Sequence, residues 1–107
     1  MRISKEGMSK HFAQDLPSAT RALMAATQGP IQTKACAQKL TAAAWKTKPC
    51  WYLVADAVRM IQPAFQLAMA RNIRARIVHV NAGHVPQQSQ PDRVAALILE
   101  AAAQQPK

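Results

Sequence analysis

Apolar and polar positions along this chain change rhythm three times between Pro49 and His84. From Cys50 to Ala55 the run CWYLVA is apolar without alternation and carries aromatic and β-branched residues. That is the pattern of a strand buried on both faces, as in a parallel sheet. From Pro63 to Ile73 the period lengthens: Phe65, Ala68, Met69 and Ile73 share one side at helical spacing and predict an amphipathic helix. A second apolar run, Ile77 to Val80, then empties into Gly83-His84. Strand, helix and strand with this much chain between the strands predict a βαβ crossover and a parallel pair. In such sheets the chemistry sits at the carboxyl ends of the strands.

The flanks are weaker in pattern. Ser4 to Gln14 has room for a turn or two of helix anchored by Phe12. Leu16-Pro17 opens a helix in which Ala19, Ala22, Leu23 and Ala26 share a face up to Gln28. Gly29-Pro30 ends it, since glycine can cap a helix and proline cannot continue one. A second short helix is expected over Ile31–Ala37, then an extended connector over Thr41–Lys48 with Trp45 against the core. Pro86 to Gln90 reads as a loop. Pro91 opens the last helix, with Val94, Leu97, Ile98 and Ala101 as its stripe, and a polar tail follows from Gln104 to Lys107.

Length and charge narrow the picture. A chain of 107 residues is one domain at most and buries a modest core. Fourteen Lys and Arg against five Asp and Glu give a net charge of +9, which makes polyanion binding a rival reading. No apolar run approaches the ~20 residues of a membrane span. The start, Met1-Arg2-Ile3-Ser4-Lys5-Glu6, lacks the apolar core of a secretory signal. Cys36 and Cys50 make no disulfide framework and have no metal spacing, so both read as buried or half-buried residues, with a disulfide between them as the minority alternative, and the default setting is reduced and cytoplasmic. No glycine-rich phosphate loop or metal cluster appears, and no cofactor is expected.

Several phrases together resemble a known family. Lys48-Pro49-Cys50-Trp51-Tyr52-Leu53-Val54-Ala55, then Arg59-Met60-Ile61-Gln62-Pro63, then Gly83-His84-Val85-Pro86 and Ser89-Gln90-Pro91 look like the C-terminal third of an α/β-hydrolase. The nearest branch is the small bacterial esterase and haloperoxidase-like hydrolases. Phe12-Ala13-Gln14-Asp15-Leu16-Pro17 and Ala44-Trp45-Lys46-Thr47 resemble that branch's cap-to-core passage. The resemblance spans roughly Phe12 to Ala103. It implies an α/β fold: a cap-like helical segment and connector over residues 1–48, and the C-terminal βαβα part of the hydrolase core over residues 49–107.

The resemblance also implies roles. A histidine after the last strand serves as triad base, which places that role on His84. An acid just before the Arg-Met-Ile segment would orient it; Val58 stands there, and Asp56, two residues earlier, is the carboxylate on offer. The remaining histidines, His79 within the strand and His11 near the start, read as structural or solvated. A serine hydrolase of this fold also needs a Gly-x-Ser-x-Gly elbow for its nucleophile. The glycines here are Gly7, Gly29 and Gly83, and none brackets a Ser or Cys. Ser89 and Cys50 are poor substitutes. The expectation is a truncated or degenerate hydrolase, inactive alone, whose parent hydrolysed a small-molecule ester or similar acyl bond. Its expected partner is a complementary N-terminal hydrolase half or a second copy of itself.

The second reading is a small basic module for polyanions or nucleic acid. Arg71, Arg74 and Arg76 form one basic cluster; Lys34, Lys39, Lys46 and Lys48 form another. Aromatics are few and not interleaved with these charges, and cations near a helix C-terminus complement its dipole. Nucleic-acid binding therefore stands behind the hydrolase reading.

Overall fold

The computed structural model describes residues 1–104. In chain order, helix α1 (Lys5–Gly7), a π-helical turn (Met8–Phe12) and helix α2 (Ser18–Thr27) come first. Two 3₁₀ turns follow, Thr33–Ala37 and Ala44–Lys46. Then come strand β1 (Trp51–Ala55), helix α3 (Pro63–Asn72), strand β2 (Arg76–Val80), the one-turn helix α4 (Pro86–Ser89) and helix α5 (Pro91–Ala103). The tail expected after Gln104 lies outside the described residues.

The unbroken apolar runs do become strands, and they pair in parallel as a two-stranded sheet. Trp51 stands opposite Arg76 and Ala55 opposite Val80. With α3 crossing between them, this is the βαβ unit expected of an α/β fold. The ladder continues past both ends: Arg76 N–H donates to Cys50 O at 2.8 Å, and Asp56 N–H donates to Val80 O at 2.9 Å.

In a parallel strand alternate residues send their backbone groups to opposite edges. Even-numbered residues of β1 face β2, so Ala55 faces the outer edge, where no third strand pairs with it among the described residues. Gln66 of α3 closes that gap. Its Oε1 accepts from Ala55 N at 3.0 Å, and its Nε2 donates to Ala55 O at 3.1 Å. The amide thereby copies the pairing that a neighbouring peptide would make. Gln66 is only 5% exposed, which is tolerable because both its polar ends are hydrogen-bonded. Nε2 also donates to Ile61 O at 3.0 Å.

This arrangement sets the phase of α3. The expected sheet-facing side began at Phe65, which is instead 62% exposed, while Gln66 and Ala70 are buried. The sheet edge takes the residue that can satisfy its backbone, and fully buried Ala70 allows close approach. Helix α2 is likewise rotated from its expected phase. Met24 and Ala25 pack inward against the N-terminal turn, whereas Leu23, Ala22 and Ala26 face out. In α5, Val94, Leu97 and Ala101 are half-buried as expected, but Ile98 is exposed.

Two apolar clusters hold the molecule. One joins Met8, Ala13 and Leu16 of the N-terminal turn to Val85 in the segment after β2. The other, Ala55, Val58, Val80 and Ala82, surrounds the carboxyl ends of both strands. Outside them, the segment from residue 29 to residue 49 is exposed at nearly every position. The helix expected over Ile31–Ala37 shortens to a 3₁₀ turn, since a short helix without a packed face is marginal. Trp45 rides a 3₁₀ turn and is 39% exposed rather than tucked inward. Cys36 is exposed, Cys50 is half-buried, and both are free thiols. The expected loop after Pro86 closes a single helical turn, α4.

Helix α3 ends in a Schellman motif. Ala75 N–H donates to Ala70 O at 2.9 Å and Arg74 N–H to Arg71 O at 3.0 Å. The residue that turns the chain is Arg74, at φ 54°, the only positive-φ residue other than glycine among those described. No helix of the described residues is long and apolar enough to cross a membrane.

Candidate functional site

The carboxyl ends of β1 and β2 are tied into one ledge. Beyond the Asp56–Val80 bond, Ala57 N–H donates to Ala82 O at 3.1 Å. Val58, which occupies the place the resemblance gives to an acid, turns into the apolar cluster beneath and is buried with Ala55, Val80 and Ala82. An ionised carboxylate at that spot would sit among alkyl groups.

His84 follows Gly83 on this ledge. Gly83 and Val85 on either side are buried, and the His84 ring is half-exposed. The N-terminal turn holds this segment. Gly83 N–H donates to Asp15 Oδ2 at 2.7 Å. The approach is close enough that a Cβ on Gly83 would stand 2.6 Å from Asp15 Oδ1. Phe12 packs against the imidazole, ring centroids 4.7 Å apart and tilted by 53°. Gln14 Nε2 donates to Ala57 O at 2.8 Å, while its Oε1 is buried without a donor among the described residues. Arg59 donates to Lys10 O at 3.0 Å. Residues of the N-terminal turn therefore touch both strand exits at once.

Asp56 and His84, the two candidates from the sequence, are not joined. Asp56 instead faces His79, whose Nδ1 lies 2.9 and 3.2 Å from the two carboxylate oxygens. The parallel register explains this. Val54 is opposite His79, and Asp56, two residues on, emerges on the same face as both. Both side chains are about half exposed, so the pair is solvent-screened. Its geometry holds the Nδ1 side of the imidazole. The His79 carbonyl accepts from Arg93 at 3.3 Å.

Two features escaped the sequence reading. His79 meets Asp56, the diagonal neighbour beyond its register partner Val54, a contact that appears only once the strands are paired. The grip of Asp15 on Gly83 joins residues 68 apart, and no local pattern announces it. Among the described residues, no group of three or more His, Cys, Asp or Glu could hold a metal ion. Neither His84 nor Asp56 lines any of three cavities, of about 300, 200 and 190 Å³, among the described residues.

Comparison with known proteins agrees with the architecture. The model of the alpha/beta hydrolase family matches residues 2–97. No curated protein and no solved structure matches the chain. The match runs from the N-terminal turn through β1, α3 and β2 into α5, and on it the chain belongs to the alpha/beta hydrolase family.

Proposed function

We propose that this chain carries the base-bearing, C-terminal part of a serine-type hydrolase core, preceded by a cap-like segment over residues 1–48. The parent reaction is hydrolysis of a small-molecule ester or similar acyl bond, in the manner of the small bacterial esterases and haloperoxidase-like hydrolases. The observation that carries this reading is the family match over residues 2–97 together with His84 in the segment directly after β2. In that role the imidazole takes the nucleophile's proton and returns it to the leaving group.

His84 is the base in this reading. Asp56 is the candidate for the acid, and it serves only by leaving His79. The chain has no Gly-x-Ser-x-Gly elbow, so hydrolysis needs a nucleophile and oxyanion donors from a complementary hydrolase half in the cytoplasm, or from another copy. The chain alone is inactive.

The test is ester hydrolysis by the isolated chain and by the chain mixed with an N-terminal hydrolase fragment carrying the elbow. The isolated chain should show no saturable turnover of short acyl esters. In the complemented enzyme His84→Ala should abolish turnover. Asp56→Ala should lower it, by up to ~10⁴, the factor lost when a triad acid is removed, whereas Val58→Asp would bury a carboxylate among alkyl groups and should not raise it. Turnover by the isolated chain that His84→Ala removes would overturn the reading. If Asp56→Ala is damaging and Val58→Asp is without effect, Asp56 is the acid.

A further inference from the structure

At the amino ends of the strands, away from the His84 ledge, a cavity of about 200 Å³ is lined by Trp45, Lys46, Asn72, Ile73 and Arg74. The two basic clusters that lie apart in the sequence meet here. The bond from Arg76 N–H to Cys50 O draws the connector before β1 against the end of α3. The lining holds two cations and no acid. Neither Lys46 nor Arg74 takes part in the three ion pairs found among the described residues. Lys46 Nζ stands 5.6 Å from the centroid of the Trp45 ring, so an ammonium and a flat apolar surface share one wall.

Arg74 supplies an independent reason to read this cavity as a site. It occupies the left-handed position of the Schellman motif, φ 54°, where glycine or asparagine is favoured and a Cβ is penalised. The helix dipole does not require it, because Arg71 already places a cation in the last turn of α3. A cation in a left-handed conformation, lining a cavity beside a second cation outside those ion pairs, is the observation that points to a ligand here.

We propose that this cavity binds a small aromatic phosphate, with its ring on Trp45 and its phosphate between Lys46 and Arg74. Two cations match a phosphate dianion, and a guanidinium can bond two of its oxygens side by side. The volume lies below the ~300–1,000 Å³ of sites for drug-sized ligands, so it takes one ring and one phosphate. The proposal is independent of the hydrolase reading, since it uses no residue of the His84 ledge.

The experiment is titration of the full chain with phenyl phosphate, followed by the two tryptophan indole N–H signals in NMR. Trp45 should shift saturably and Trp51 should not. Inorganic phosphate should bind more weakly, and phenol should shift neither signal. Arg74→Gly should raise the melting temperature by relieving the left-handed arginine, yet weaken phenyl phosphate binding by about tenfold or more, as expected for loss of a charge-assisted bond. Lys46→Gln should weaken binding without stabilising the fold. Equal affinity for phosphate and phenyl phosphate, an unshifted Trp45, or unchanged affinity in Arg74→Gly would each overturn the proposal.

Discussion

The two ends of the β1–β2 sheet are built by different means. At the carboxyl end polar side chains from distant segments finish the backbone pairing: Gln66 on Ala55, Gln14 on Ala57 and Asp15 on Gly83. Buried Val58, Val80, Ala82 and Val85 fill in beneath. At the amino end the chain arrives through a segment exposed from residue 29 to residue 49 at nearly every position, with Leu40 81% exposed. That segment is not short of apolar residues. It has few large ones, and among the described residues its backbone has few partners from outside: Met1 pairs with Ile31, and the Cys50 thiol donates to Trp45 O and Lys48 O. The contrast teaches that order here follows specific backbone partners more than apolar content. Ordering each residue costs ~1–2 kcal/mol, and alanines bury too little area to offset it.

The strongest way to break the contrast is to remove the partner of the sheet edge. Gln66→Leu keeps the volume but leaves Ala55 N–H and C=O without partners, each at ~1–3 kcal/mol when buried. We expect a loss of about 3 kcal/mol, measured as a drop in the urea midpoint. A loss below ~1 kcal/mol would mean that water reaches the edge and that Gln66 is dispensable.

A smaller effect should come from Gly83. Its backbone does not require glycine, so the cost of Gly83→Ala is steric: the new methyl meets the Asp15 carboxylate and breaks its bond to Gly83 N–H. We expect a loss of about 1–2 kcal/mol, the lower part of the ~1–3 kcal/mol range for a buried backbone donor left unpaired. In an Asp15→Ala background the same change should cost almost nothing, and the difference is the coupling energy of the double-mutant cycle. Additive losses would show that the two residues do not act together.

The smallest effect sharpens the comparison from the other side. Leu40→Ser, in the exposed segment, should change the urea midpoint by no more than ~0.5 kcal/mol equivalent. A larger loss would show that Leu40 packs against something in solution.

The strands were legible because an unbroken apolar run demands burial whichever strand lies beside it. Cys50–Ala55 and Ile77–Val80 needed boundary changes of one residue. Helix α3 was legible as a helix, but its facing side was not. Counting apolar positions selects Phe65, whereas the sheet selects Gln66, because an unpaired peptide group outweighs one more apolar contact. Trp45 was misplaced for a related reason: an aromatic residue expects a core, and the connector that carries it has none nearby. The His84 position was legible through the phrase around it. The company His84 keeps was not, since Phe12 and Asp15 arrive from the far end of the chain.

The bond between Asp15 and Gly83 also fixes an order of events in time. It closes a span of 68 residues, and loop-closure entropy for that length is about 4 kcal/mol. During synthesis Asp15 emerges long before Gly83 exists, so it waits unpaired while β1, α3 and β2 are made. The sheet depends on a much shorter closure and can be in place first. By that reasoning the His84 turn is expected to be the last part of the ledge to set, when Asp15 and Gly83 meet across 68 residues.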